Sequence, residues 1–568
     1  MKDFLLSKLE HHPCFHRPKD ISEGNLAEAS ASSGLMRNSK VHISRCPGRL
    51  SFSKHCDYVN NDLLYLAANY ETLVAVQVSA LNLEKTSTLS GRVAERTSSR
   101  LRRTNDRSVL NVHEGFIEIY NLNPDFQELI LSQDQVIDDI SAIKSTISDQ
   151  CLDDNKGNWT FYILKILDLL SKENLDLDLA KIHSLKIVVN SDLPAAAGMS
   201  SSHALILASL MSLIRALHSQ GLLKNIDKTY FKYLLNGTVA EIGVRQQCLN
   251  PKAESLETIL NKDDLLDLLK FCQKIEIAKG FNSGLGDQAA QILSRKNHFC
   301  FIKLFPQLSF KYERIPEAIS FMILPSFIKA EKTSEEYQLK EKYFDRYKEL
   351  NQLTRFFLEN NKNAKIEDCE QSQDQNSLGD ILYKLTDKEI LKKLKEIKEG
   401  KRAITNDDKL SNLALYALAE GARLKDLKEN FCIEQLFEHI NLSHLAEWVS
   451  NSSPHPMIFS TALNIFTAQE SININLKLAN HIGAYRSSTL FNDSLQNFTL
   501  SLEGVYACSI MGAGLGGNNI AIVSSEKADS IKKTLIEDFY SHYNLAEKAK
   551  TAILVNSSAN GLEYLGEF

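Results

Sequence analysis

Four short stretches of this chain gather polar side chains or small residues in patterns that suit chemistry. The first, Cys46-Pro-Gly-Arg-Leu-Ser-Phe-Ser-Lys-His-Cys-Asp-Tyr58, packs Arg49, Lys54, His55 and Asp57 into nine residues behind a Pro-Gly turn. Polar groups at that density on a loop suit hydrogen bonding to a polyhydroxylated ligand. The second, Leu193-Pro-Ala-Ala-Ala-Gly-Met-Ser-Ser-Ser-His-Ala-Leu205, sets Pro194, Ala197, Gly198 and Met199 ahead of Ser200, Ser201 and Ser202. Small side chains let a ligand approach the backbone, and the first turn of a helix offers unpaired N–H groups and partial positive charge to a phosphate. An ordinary serine N-cap after a proline turn accounts for the same residues, and the two readings stay open at this point. In the third stretch, Gly280, Gly284 and Gly286 precede Asp287-Gln288 at a helix start. Here the carboxylate is either a plain N-cap or a group held against a ligand. The fourth, Met511-Gly-Ala-Gly-Leu-Gly-Gly517, places Gly514 and Gly516 in a loop that permits a backbone nest or a close approach to another loop.

The surrounding pattern supplies elements to hold these stretches. Strands are predicted over 41–45, 63–68, 72–78, 116–120, 184–190, 299–304, 319–324 and 552–555 from β-branched and alternating residues, and on either side of the 511–517 glycine loop, the second ending at Val523. Helices are predicted over 159–170, 205–217, 230–244, 263–278, 413–424 and 528–540 from apolar periodicity. Strands and helices alternate without a regular βαβ repeat, so the expected class is α+β. No GxxxxGK[ST] sequence occurs, and a nucleotide site here must be of another kind.

Composition narrows the field. With 568 residues, 43% hydrophobic, the chain can build two to four domains. A formal net charge of −6 argues against a general nucleic-acid binder. The arginine-rich stretch 84–107 lacks interleaved aromatic residues and reads as a solvated insertion. Ten scattered cysteines without CxxC pairs read as reduced thiols, and His11, His12, Cys14 and His16 match no zinc spacing. The expectation is a cytoplasmic protein with no membrane partner and no nucleic-acid partner.

Taken in order, the four stretches resemble the GHMP small-molecule kinases, and among them the galactokinases. The similarity runs over about residues 41–568 and extends to Asn480-His481, Tyr485 and Ser488-Thr489. It implies a two-lobed fold, with an N-terminal lobe like ribosomal protein S5 domain 2 and a ferredoxin-like C-terminal lobe. The implied divisions are a 1–40 extension, an N-terminal domain over 41–310, and a C-terminal domain over 311–568 with a helical insertion near 335–410. The implied activity is ATP- and Mg²⁺-dependent phosphorylation of a sugar's anomeric hydroxyl by a monomer. By matching positions, 193–205 cradles the ATP phosphates, Gly514 and Gly516 lie on the nucleotide side, and Asp287 faces the sugar hydroxyl beside Arg49. Ser202 matches one Mg²⁺ ligand. Glu276 matches the second, with Glu241 the alternative if 243–280 is an insertion. Lys54, His55, Asp57, Gly284 and Tyr337 match the sugar side.

The departures bear on substrate. Ser53-Lys54-His55 stands where the family has Gly-Glu-His, and a lysine only donates hydrogen bonds where a glutamate accepts them. An acidic or phosphorylated sugar, or arabinose, is therefore an alternative to galactose, and a non-catalytic sugar- and ATP-binding regulator is a reading from another class. His203 replaces a small residue, and is either accommodated or adds a donor to the phosphates.

Overall fold

In the computed structural model the described residues run from 40 to 567. They exclude 57–60, 81–115, 137–146, 237–261, 329–406, 448–483 and shorter stretches of one to three residues, among them 195–197 and 281–283. The expectations for Ala197, Asp57, Tyr337, Glu241, the N-terminal extension, the 84–107 stretch, Asn480-His481 and most of the 335–410 insertion lie outside the described residues.

Thirteen strands form two sheets among the described residues. The larger has the order β13-β1-β2-β5-β3-β4, with β12 and β6 also pairing to β2 and β7 pairing to β6. Its centre is β1 (Val41–Ser51) against β2 (Leu63–Ala80), antiparallel. Residues 63–68 and 72–78, predicted as two strands, are one: the strand runs on through Asn69-Tyr70, which stand opposite the register shift of β1, and its pairing with β1 resumes at Glu71. On the far side of β2 lies β5 (Ile182–Ser191), which pairs in parallel with β3 (Ile117–Asn121), itself paired to β4 (Leu129–Leu131).

The first polar stretch starts on a strand rather than a loop. β1 runs on through Cys46-Pro47-Gly48-Arg49, with a register shift between Pro47 and Arg49. Proline has no N–H for the ladder, and a bulge absorbs it while re-aiming the side chains that follow. A methyl group on Gly48 would meet the Leu193 side chain and stand 3.1 Å from the Met199 carbonyl oxygen, so β1 lies close against the 193–205 stretch here.

Helices α2 (Ser201–Ser219) and α4 (Gly286–Leu293) pack on this sheet, and α1 (Phe161–Lys172) and α3 (Lys262–Lys279) pack on α2. α2 is apolar on nearly every side and is buried from His203 to Leu217, packed on β1 and β2. A helix so buried is a rigid base for whatever its first turn presents.

The smaller sheet is antiparallel, in the order β11 (Leu554–Asn556), β8 (Ile319–Pro325), β10 (Asn518–Ser524), β9 (Val505–Ile510). Its strands alternate strictly. Phe321, Ile323, Ile520 and Ile522 join the main core, while Met322, Leu324, Ala521 and Val523 face a second core. Helices α5 (Asp407–Glu429) and α6 (Ile433–Glu447) contribute Leu424, Leu427, Leu436 and Ile440 to the first face. Helices α7 (Leu490–Leu500) and α8 (Ala528–Thr534) contribute Leu495 and Ile531 to the second.

Four strands are absent from the sequence prediction, β4 among them. β7 (Ser309–Arg314) pairs with β6 (His298–Lys303), so the larger sheet reaches past residue 310. β12 (Ser558–Ala559) and β13 (Glu563–Glu567) return the C-terminus to β2 and β1. Arg45 pins that return, donating to both Glu563 and Glu71.

Candidate active site

The polar stretches converge where α2 and α4 begin beside β1. Arg49 projects from β1 past the bulge and clamps Asp287 bidentately, Nε to Oδ1 at 2.6 Å and Nη2 to Oδ2 at 2.8 Å. This fork geometry suits arginine and not lysine. The remaining Arg49 nitrogen, Nη1, donates to the Gly198 carbonyl, and the Arg49 backbone N–H donates to the Met199 carbonyl at 3.1 Å. One residue of β1 thus holds both the carboxylate and the loop ahead of α2.

Asp287 is not a cap. It sits in the first turn of α4, behind the cap position Leu285, and makes no capping bond. Burial alone would raise its pKa, but the adjacent Arg49 charge and hydrogen bonds, with the Ser200 hydroxyl, hold it well below the usual carboxylate range. Its side chain keeps 23% of its surface open, so a ligand can still reach it.

The serine triplet is likewise not an ordinary cap. Ser200 occupies the cap position of α2 with φ 59° and ψ 47°, left-handed for a non-glycine residue, and makes no capping hydrogen bond. Its hydroxyl donates to Asp287 instead. The first-turn N–H groups of α2 are therefore left without a side-chain cap, in the arrangement that favours an anion. Gln291, on α4, fixes the turn by donating to the Ser200 carbonyl at 3.0 Å.

The glycine loop closes on this turn from the smaller sheet. A methyl group on Gly512 would stand 3.3 Å from the Gly198 carbonyl oxygen and 3.8 Å from Arg49 Nη2. Gly514, at φ 78°, lies so close to Ser487 that a methyl group would meet that residue's carbonyl oxygen at 2.4 Å. Gly516 packs against the Ile328 carbonyl in the same way, at 2.7 Å. Small residues here permit contact between two loops from different sheets.

Ser202, Glu276 and His203 group beside the same turn. Tyr162 and Glu276, the latter on α3, are both buried. His203 does not line the open side of the turn: it is buried, with Nδ1 3.9 Å from Glu276 Oε1. Among the described residues no group of three or more His, Cys, Asp or Glu side chains is arranged to hold a metal by itself.

Lys54 and His55 point elsewhere. The Lys54 ammonium is buried and donates to Ser509 of β9; burial lowers its pKa to about 8, an effect partly offset by Glu447 and Glu420. His55, at φ 55°, stacks on Tyr485 with centroids 3.7 Å apart, and its Nε2 lies 3.6 Å from Glu447 Oε1. Glu447 also accepts from Tyr416, at 2.9 Å, and from the Ser487 hydroxyl. Ser487 touches Gly514, so this buried network joins the residues after β1 to the glycine loop. Gly284 borders α4, and its carbonyl lies within reach of the Gln288 amide. Pro194 is partly exposed on the way into the turn. Glu447, Ser487 and Ser509 carry no local motif, and only the tertiary fold reveals them.

At the level of sequence, no family model matches the chain, and no curated protein matches it significantly. Solved structures do match. The galactokinase of Lactococcus lactis complexed with galactose superposes over 95% of this chain and 98% of its own, at 16% identity and a TM-score of 0.52. The fold is that of the GHMP kinases. The mevalonate kinase of Methanococcus jannaschii (12% identity, 91% and 98% coverage, TM-score 0.42) and a putative sugar kinase from Campylobacter jejuni (10%, 94% and 99%, 0.38) also match this chain. The α+β, two-lobed expectation holds, with two sheets among the described residues. Among the described residues, no helix is long and apolar enough to cross a membrane.

Proposed function

We propose that the protein is an ATP-dependent kinase that phosphorylates the anomeric hydroxyl of galactose or a related sugar. The observation that carries this is the Arg49–Asp287 clamp lying beside the uncapped start of α2. A carboxylate for the acceptor hydroxyl and N–H groups for the donor phosphates are then adjacent, as phosphoryl transfer requires.

The chemistry follows from the charges. The sugar hydroxyl oxygen forms a bond to the γ-phosphorus as the bond from that phosphorus to the β,γ-bridging oxygen breaks, and ADP leaves. Asp287 accepts a hydrogen bond from the hydroxyl and aims its lone pair. A carboxylate held so far below the usual range is a weak base, so its principal role is orientation, and the hydroxyl proton passes to an oxygen of the transferred phosphoryl group as the new bond forms. Arg49 keeps Asp287 ionised and offsets charge growing on the transferred group. The α2 N–H groups and the Gly512–Gly517 loop hold the phosphates and shield them from water.

Mg²⁺ fits the residues present. Glu276 Oε1 is buried and has no hydrogen-bond partner among the described residues, and Ser202 lies in the first turn of α2. These two side chains would hold the ion, which supplies charge neutralisation on the ATP phosphates.

A panel of sugars incubated with Mg-ATP and followed by ³¹P NMR tests the reading. A sugar phosphate whose phosphorus couples to the anomeric proton is expected. A product phosphorylated only at another position, or no product with any sugar, would refute it.

A further inference from the structure

The strand that leads into the glycine loop is held along its outer edge by side chains. β9 is the last strand of the smaller sheet among the described residues, and such an edge carries backbone N–H and C=O groups that no strand pairs. Helix α6 supplies the partners. The Asn441 amide donates to the Tyr506 carbonyl at 3.2 Å and accepts from the Cys508 N–H at 3.0 Å, as a neighbouring strand would. His444 Nδ1 accepts from the Ile510 N–H at 2.8 Å, one residue before the loop begins at Met511. Glu447 accepts from the Ser487 N–H at 3.1 Å and from its hydroxyl, and Ser487 is the residue against which Gly514 packs.

Asn441, His444 and Glu447 stand three residues apart, so they share one face of α6. That face fixes both the strand before the loop and the residue on which Gly514 rests. Lys54 joins the set from the first polar stretch: between Cys508 and Ile510, the hydroxyl of Ser509 accepts from its ammonium. A residue that binds sugar must present its polar atoms to the acceptor. Lys54 is only 3% exposed, and its ammonium is engaged by Ser509 and by the charges of Glu447 and Glu420.

We infer that Lys54 is a positioning residue for the nucleotide loop and not a sugar ligand, acting through Ser509 alongside the Asn441, His444 and Glu447 face of α6. The inference rests on the kinase reading, which sets the phosphates against that loop, and it moves Lys54 from the sugar side to the nucleotide side. The path is short. Ser509 lies two residues before Met511 and three before Gly512, and Met511 and Gly512 pack on Gly198 of the phosphate turn. A strand shifted at Ser509 therefore carries the loop away from the start of α2.

Calorimetric titration of the full chain with Mg-ATP, and steady-state phosphorylation of the sugar that wild type turns over best, test this. The chains compared are wild type, Lys54→Met, Ser509→Ala and the double variant. Each single variant should bind ATP on the order of 10-fold more weakly, the scale of one hydrogen bond to a charged group. KM for the sugar should stay at the wild-type value. The double variant should bind ATP no more weakly than Lys54→Met alone, because both changes remove the same bond. Ser509→Ala takes away only a hydroxyl and carries the test by itself if Lys54→Met does not fold. A raised KM for the sugar with unchanged ATP affinity would overturn the inference. So would a lowered melting temperature with both constants unchanged. Wild type that binds ATP but phosphorylates no sugar would refute the kinase reading, while the ATP affinities of the variants would still decide the inference. Wild type that does not bind ATP would overturn both.

Discussion

The hydroxyl of Ser200 donates to the carboxylate of Asp287, on a different helix, and not to the amides of the helix that Ser200 begins. That choice leaves the start of α2 without a side-chain cap and ties its first turn to the Asp287 carboxylate. Its cost is a left-handed backbone at a residue with a Cβ, ~1–2 kcal/mol.

The strain and the hydrogen bond can be separated by substitution. Ser200→Ala loses the bond and keeps the strain, whereas Ser200→Gly loses the bond and relieves the strain. The glycine variant should melt higher than the alanine variant, by an amount equivalent to ~1 kcal/mol. Both should turn over at least roughly 10-fold more slowly than wild type, the scale of one hydrogen bond to a charged group. Equal melting temperatures for the two variants would argue against the left-handed geometry.

Lys54 makes a prediction about pH. Its folded pKa, about 8, lies below its ordinary value of 10.5 because burial disfavours the ammonium. Between these values the unfolded chain binds more protons than the folded one, so stability rises with pH across the window from 8 to 10.5. The penalty is fully present below pH 8 and is relieved as the lysine deprotonates. Melting temperatures of wild type and Lys54→Met measured from pH 7 to 10 should show wild type gaining on the variant as pH rises. A constant difference would place the lysine in solvent. Lys54→Glu, which restores the family's residue type, sets a third carboxylate beside Glu447 and Glu420 and should destabilise the fold before it alters sugar choice.

Gly514 and Gly221 offer a matched comparison. Both have positive φ, 78° and 69°, but a methyl group at Gly221 meets nothing within 4 Å. Gly221→Ala should cost only the backbone strain, ~1 kcal/mol. Gly514→Ala must also displace Ser487 or the glycine loop, so it should lower ATP affinity as well as melting temperature. Calorimetric ATP titration of both variants checks this, and unchanged affinity in Gly514→Ala would detach that loop from the nucleotide.

Much of the site was legible in the sequence because its signals are local. Glycines before Asp287, and a serine run between a β-branched strand and an apolar helix, mark turns whatever the tertiary fold. The sequence left open whether Ser200 and Asp287 were caps, because both readings use the same residues. Only their mutual contact across 87 positions decides it. The placement of Lys54 was illegible for a related reason. Its partners lie on β9, α5 and α6, hundreds of residues away, and none belongs to a motif. β12 and β13 are short and polar and show no alternation to betray them, yet they complete the larger sheet through pairing with β1 and β2. β7 does alternate, Phe310 and Tyr312 against charged neighbours, and was available to a closer reading.

The central claim is that Asp287, held ionised by Arg49, orients the acceptor hydroxyl for phosphoryl transfer. Its stabilising charge is present above the ordinary carboxylate pKa of 3.8 and is lost only as pH falls toward its much lower folded value, so activity should show no acid limb from this group near neutrality. The most direct test compares wild type with Asp287→Asn for single-turnover phosphorylation of the best sugar, alongside calorimetric binding of ATP. The account predicts that ATP still binds while phosphorylation slows on the order of 10³-fold or more. Phosphorylation by Asp287→Asn at near the wild-type rate would contradict it.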